Sequence, residues 1–130
     1  MNEVSDTELK KVIGDFLEMG YVDNIVSMFR KEPQYLDWTG ELLQDERFNV
    51  RLGLTILFEE LADLNPSLPA RAVPSLKKLL KNKSALIRGE AIGILGIIGT
   101  KETLHLITEM KDDPSPQVRD MVALALEEST

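Results

Sequence analysis

The chain of 130 residues contains no cysteine. Disulfides and thiolate metal sites are thereby excluded, and a reducing, cytoplasmic setting is the expectation. Histidine is almost as scarce. His105 stands alone, which excludes the usual zinc sets and leaves no second base to build a nucleophilic triad. Aromatic residues make up only 5%, so the core must be assembled from Leu, Ile, Val and Ala. No long hydrophobic run is present. The longest uncharged stretch, Ala91 to Thr100, has ten residues, where a membrane-spanning helix needs about 20. Positive charge is in deficit as well, with a net charge of -7. Phosphate backbones repel such a chain, so neither nucleic acid nor membrane is an expected partner. Residues 1–65 carry the excess, with 14 acidic and 6 basic side chains. The one basic cluster, Arg71, Lys77, Lys78, Lys81, Lys83 and Arg88, reads as a solvated helix face.

What is present reads as helix. Apolar residues form 43% of the chain, enough to fold, and β-branched residues are scattered rather than alternating. Ser5-Asp-Thr-Glu8 is a capping box, and Gly20 suits the end of the helix it opens. Pro33 stands where a first helical position belongs, and "NPSLP" at 65–69 breaks a long helix. The pattern predicts eight helices, over about 5–19, 21–31, 34–44, 46–64, 70–81, 84–98, 101–111 and 116–128.

Three stretches align without gaps. "LDWTGELLQDERFNVR" ends at Arg51, "VPSLKKLLKNKSALIR" at Arg88 and "LHLITEMKDDPSPQVR" at Arg119. Leu36, Val73 and Leu104 share a column, as do Leu42, Leu79 and Met110. Asp45, Asn82 and Asp113 mark the turn. Each arginine is preceded by Val or Ile and followed by the same apolar spacing. The unit is a helix, a turn and a second helix, and it must stack on neighbours to cover its apolar stripe.

These columns resemble the HEAT repeat, and more closely its short form in the phycobilisome-lyase-like group. Residues 72–99 are the clearest unit. The resemblance implies one all-α domain, a right-handed superhelix of about four helical pairs over 1–130. Residues 1–32 would be a degenerate first pair, followed by repeats at 33–64, 69–99 and 100–130. Arg51, Arg88 and Arg119, with Asp45, Asn82 and Asp113, would then form a ladder tying one repeat to the next. The family includes a di-iron hydroxylase built on paired His-Glu motifs. This sequence has no His-Glu pair, so that activity does not carry over from the resemblance.

The glycines of "RGEAIGILGIIGT" need a separate reading. A phosphate-binding loop requires a preceding strand, and the spacing here is not GxGxxG. Gly89, Gly93 and Gly96 fall on one helix face instead, beside the core columns. They either let two helices pack closely or open a smooth groove for a partner.

With the core columns removed, the second helices leave Leu52, Thr55, Ile56 and Glu59, then Gly89, Ile92, Gly93 and Gly96, then Asp120 and Ala123. This strip is expected to line the concave face, apolar in the middle and acidic at its edges. It suits a partner helix or peptide with basic flanks. The expected function is a non-enzymatic protein-interaction scaffold, without cofactor, metal or catalytic residue. The competing class is a bilin-lyase-like or other small-molecule-handling enzyme of the same repeat family. Met121 to Leu126 makes the last helix apolar nearly all round. Either a two-fold dimer through that helix covers the free face, or Glu127 and Glu128 shield it in a monomer.

Overall fold

A computed structural model describes residues 4–128 of the chain. The outer limits of the first and last repeats, 1 and 130, lie outside the described residues. Among the described residues eight α-helices follow one another and no strand occurs: α1 (Asp6–Glu18), α2 (Val22–Lys31), α3 (Thr39–Leu42), α4 (Phe48–Leu64), α5 (Val73–Leu79), α6 (Ala85–Ile98), α7 (Lys101–Thr108) and α8 (Pro116–Glu128). They stack as an all-α solenoid, in which α4 packs on α1, α2 and α6, and α6 on α8.

The expected helices are all present, but two are entered differently. Pro33 and Pro69 each start a short 3-10 stretch, Pro33–Trp38 and Pro69–Ala72, before α3 and α5 begin. Proline's fixed backbone angle suits a first helical turn, where its missing N–H is not needed, and at Pro33 and Pro69 that first turn is of the tighter 3-10 kind. The first helices of the repeats are therefore short and the second helices long. α4, α6 and α8 form the main layer.

Local caps follow the sequence. Ser5, Ser84 and Thr100 accept hydrogen bonds from the backbone three residues on, at Glu8, Ile87 and Thr103, closing one orphan N–H each. Gly99 ends α6 at φ 66°, a left-handed angle that glycine adopts without penalty. The core runs through the stack as one cluster, from Ile13 and Leu17 through Phe29, Leu57 and Phe58 to Ile94, Ile107 and Val118. Buried Thr39 and Thr103 donate to the carbonyls of Leu36 and Thr100. Among the described residues no buried side-chain N or O atom lacks a partner.

Arg47 fastens the degenerate first pair. It occupies the position that Ser84 fills one repeat later, and it makes no cap. Its guanidinium instead donates to Asp15 at 2.9 Å and Glu18 at 3.0 Å on α1, and to Asp45 at 2.9 Å in its own turn. These bonds hold Asp15 and Asp45 below the usual carboxylate range and raise Arg47. Arg88 does the same to Asp113. A depressed carboxylate stabilises the fold above its unfolded pKa, and that contribution is lost as pH falls through the folded value. The melting temperature should therefore hold steady from neutral pH to about 5 and decline below about 4, the ordinary carboxylate range. A thermal-melt series across pH checks this. A protein that stabilises on acidification through that window would contradict it.

Candidate functional site

Of the residues expected to form a ladder between repeats, only Arg88 and Asp113 join one repeat to the next. Each arginine reaches back to the turn six residues earlier. Arg51 Nη1 donates to the carbonyls of Asp45 and Glu46, both at 2.9 Å. Arg88 Nη1 donates to those of Asn82 at 2.8 Å and Lys83 at 3.2 Å. Arg119 Nη1 donates to that of Asp113 at 2.7 Å. The turn side chains serve their own loops, accepting from the backbone N–H two residues on at Arg47, Ser84 and Ser115.

The outward half of each guanidinium differs. Arg88 makes a two-pronged bond to Asp113 of the next repeat, at 3.0 and 2.9 Å. Arg51 has only Asn82 at the corresponding turn, and its Nε turns to Glu90 at 3.4 Å. Arg119 has no carboxylate partner among the described residues.

The predicted concave strip is divided rather than continuous. Thr55, Glu59, Gly89, Gly93 and Asp120 come together along one open groove of about 550 Å³. Ala85, Leu86, Glu90, Ile97, Gln117, Met121 and Glu128 complete its lining. Leu52 and Ile56 lie elsewhere, in a depression shared with α1 and α2. Ala123 is exposed on α8 outside the groove.

Ile92 corrects the expectation outright. It is 0% exposed and belongs to the core, because α8 lies across α6 on that side. Gly96 is also a packing position: a Cβ there would stand 3.1 Å from Ala125 Cβ. At Gly93 the nearest atom would be Met121 Cε at 3.2 Å, so this glycine admits α8 closely while still lining the groove. The two readings of the glycines thus divide along one helix.

The groove's chemistry is an apolar floor with an acidic border. Leu86, Ile97 and Met121 supply the floor, and Glu59, Glu90, Asp120 and Glu128 the border. Only Glu90 of these four is tied by an ion pair among the described residues. Pattern reasoning missed Glu90 and Glu128. Their signal lay in the α4–α6–α8 stacking, since neither stands in an aligned column.

His105 does not belong to this groove. It is exposed on α7, 3.5 Å from Glu109. Among the described residues no three His, Cys, Asp or Glu side chains converge to hold a metal ion. With a single histidine and no His-Glu pair in the sequence, the residues do not fit a di-iron centre.

The family described as HEAT repeats matches residues 36–127. Deoxyhypusine hydroxylase of Candida albicans is 42% identical over 57 residues, 42% of this chain and 18% of that protein. The chain thus spans less than a fifth of this relative's length. No solved structure matches it. The hydroxylase overturns the expectation of a non-enzymatic scaffold, because the matched relative is an enzyme. No helix among the described residues is long and apolar enough to cross a membrane.

Proposed function

This chain belongs to the HEAT-repeat family, and from that premise we propose that it is a substrate-handling unit of an enzyme. The α4–α6–α8 groove takes a cationic, aliphatic group carried on a helix or peptide of another protein. The observation that carries this reading is the lining of the groove. An ammonium head gains from Glu59, Asp120 and Glu128, while its methylene stem covers Leu86, Ile97 and Met121. A relative whose name states that it acts on deoxyhypusine supports an enzymatic setting. The 31-residue step from Arg88 to Arg119 supports a place in the short-repeat, phycobilisome-lyase-like branch. The groove residues bind and orient. A di-iron centre does not fit this chain, and no oxidative step is assigned to it.

Titration of the full chain with a leucine peptide flanked by lysines, followed by amide NMR at low salt, tests the reading. Shifts should concentrate at Gly89, Gly93 and Met121. The pair Glu59→Gln with Asp120→Asn should weaken binding by about fivefold, since two exposed charge pairs are worth about 1 kcal/mol together. Salt should weaken the unsubstituted protein more than the variant. Shifts confined to α5 and α7, or an affinity untouched by the double substitution, would sink it.

A further inference from the structure

One column of the second helices changes size between layers. Moving one repeat along, by 37 residues, carries Phe48, Leu52 and Ile56 of α4 onto Ala85, Gly89 and Gly93 of α6. In α6 these positions are small, and a Cβ at either glycine would meet Met121 of α8. In α4 they are large and open. Phe48 is 61% exposed, Leu52 43% and Ile56 37%. Their spacing, i, i+4 and i+8, makes one apolar stripe along the helix. α4 is an inner layer of the stack, packed on α1 and α2 and on α6, yet none of these helices covers the stripe. The buried face of α4 is a different one and carries Val50, Leu54, Leu57, Phe58 and Leu61. α1 closes in at Gly53, where a Cβ would stand 3.1 Å from Leu17 Cβ. Leu52 and Ile56 are left lining a depression of about 400 Å³, together with exposed Met19.

Two carboxylates line the same depression, Glu60 one turn beyond Ile56 and Asp23 in the first turn of α2. Neither is paired with a cation among the described residues. Glu18, the third carboxylate there, is already bound by Arg47. Partial burial first, and the Asp23 carboxylate second, raise Glu60 above its usual value, a state that a neighbouring cation would relieve. An apolar stripe that ends on two such carboxylates is matched by an amphipathic helix with its own apolar stripe and with Lys or Arg at one end. A second copy of this chain is a poor match. Residues 1–65 carry 14 acidic and 6 basic side chains, so like charge would meet like. We infer that the face of α4 presenting Phe48, Leu52 and Ile56 docks such a helix, carried by another polypeptide. Its apolar residues cover Leu52 and Ile56, and its basic end lies over Asp23 and Glu60. This surface is distinct from the α4–α6–α8 groove, which uses the Thr55 and Glu59 edge of the same helix. Each can be occupied, or fail, without the other.

The probe is an alanine-based helical peptide with leucine at i, i+4 and i+8 and lysines in its last turn. Titrated into the full chain, it should shift the amides of Met19, Gly20, Asn49, Gly53 and Ile56. Leu52→Ala with Ile56→Ala removes the stripe at two exposed positions and puts a better helix former there. That pair should keep the melting temperature near the parent's and weaken the peptide by about tenfold. Asp23→Asn with Glu60→Gln should weaken it by about fivefold and flatten the loss of affinity with salt. Glu59→Gln with Asp120→Asn, the groove pair, should change it little. Shifts confined to Gly89, Gly93 and Met121 would overturn the inference and leave the groove reading standing, and the absence of any shift would overturn it as well. So would equal affinity for a peptide with glutamates in place of the lysines. A large fall in melting temperature in the alanine pair would make the stripe part of the chain's own packing, against the inference. Sedimentation as a dimer that the alanine pair splits would overturn it in favour of a second copy.

Discussion

Replacing Gly40 by alanine should destabilise this protein by about 3 kcal/mol, the upper part of the range for overpacking a closed site. Gly40 lies in α3 where the first helices of successive repeats cross. A Cβ built there would stand 2.5 Å from the backbone oxygen of Ser75 and 3.0 Å from its carbonyl carbon. A flexible side chain could move aside, but this neighbour is main chain. The amide of Gly40 also accepts no slack, because it donates to Ser75 Oγ at 3.0 Å, and Ser75 Oγ in turn donates to Ala72 O at 3.0 Å. One methyl group must therefore push α3 and α5 apart and stretch the bond from Gly40 to Ser75 Oγ. The measurement is chemical denaturation of Gly40→Ala beside Gly20→Asn, a control at a position with φ 87° and open space, where Asn tolerates the left-handed angle. The control should lose little. A Gly40→Ala protein as stable as its parent would show that the first helices are free to slide.

The second large effect is expected at Arg88. Arg88→Ala removes both prongs from Asp113, whose side chain is only 6% exposed, and the donor that ties the Asn82 and Lys83 carbonyls. A carboxylate left inside a repeat junction without its partner costs more than the bond it made. A fall in melting temperature of roughly 5–10 °C at neutral pH is expected for a domain of this size. The difference from the parent should shrink as pH falls through the lowered folded value of Asp113, below the usual carboxylate range, where the side chain takes up a proton and no longer needs the guanidinium. Arg119→Ala, with one carbonyl bond among the described residues and no carboxylate, should cost the isolated chain much less. Equal losses at Arg88 and Arg119 would mean that the turn carbonyls, and not the Asp113 bridge, carry the ladder.

The arginines also show how far sequence reasoning reaches. The bond from each arginine to its own turn was legible, because six residues of chain fix that geometry locally. The outward partner was legible only at Arg88. For Arg51 the aligned residue is Asn82, and the structure turns to Glu90 instead, eight residues further along and outside any aligned column. The groove divides in the same manner. Thr55, Glu59, Gly89, Gly93 and Asp120 follow from subtracting the core columns. Leu86, Gln117 and Glu128 depend on how α8 lies across α6.

The sequence by itself determined the helices, their order and the repeat that stacks them. Hydrophobic periodicity, caps and prolines act within a few residues, so they are written along the chain. Only the tertiary structure decided which side of a second helix stays open. That depends on the rotation of each layer against the next, and small residues set it by allowing close approach. Gly93 and Gly96 let α8 settle against α6, with Met121 and Ala125 at the contact. The same closeness buried Ile92, which periodicity alone places on the free face, and brought Asp120 and Glu128 to the border of the groove.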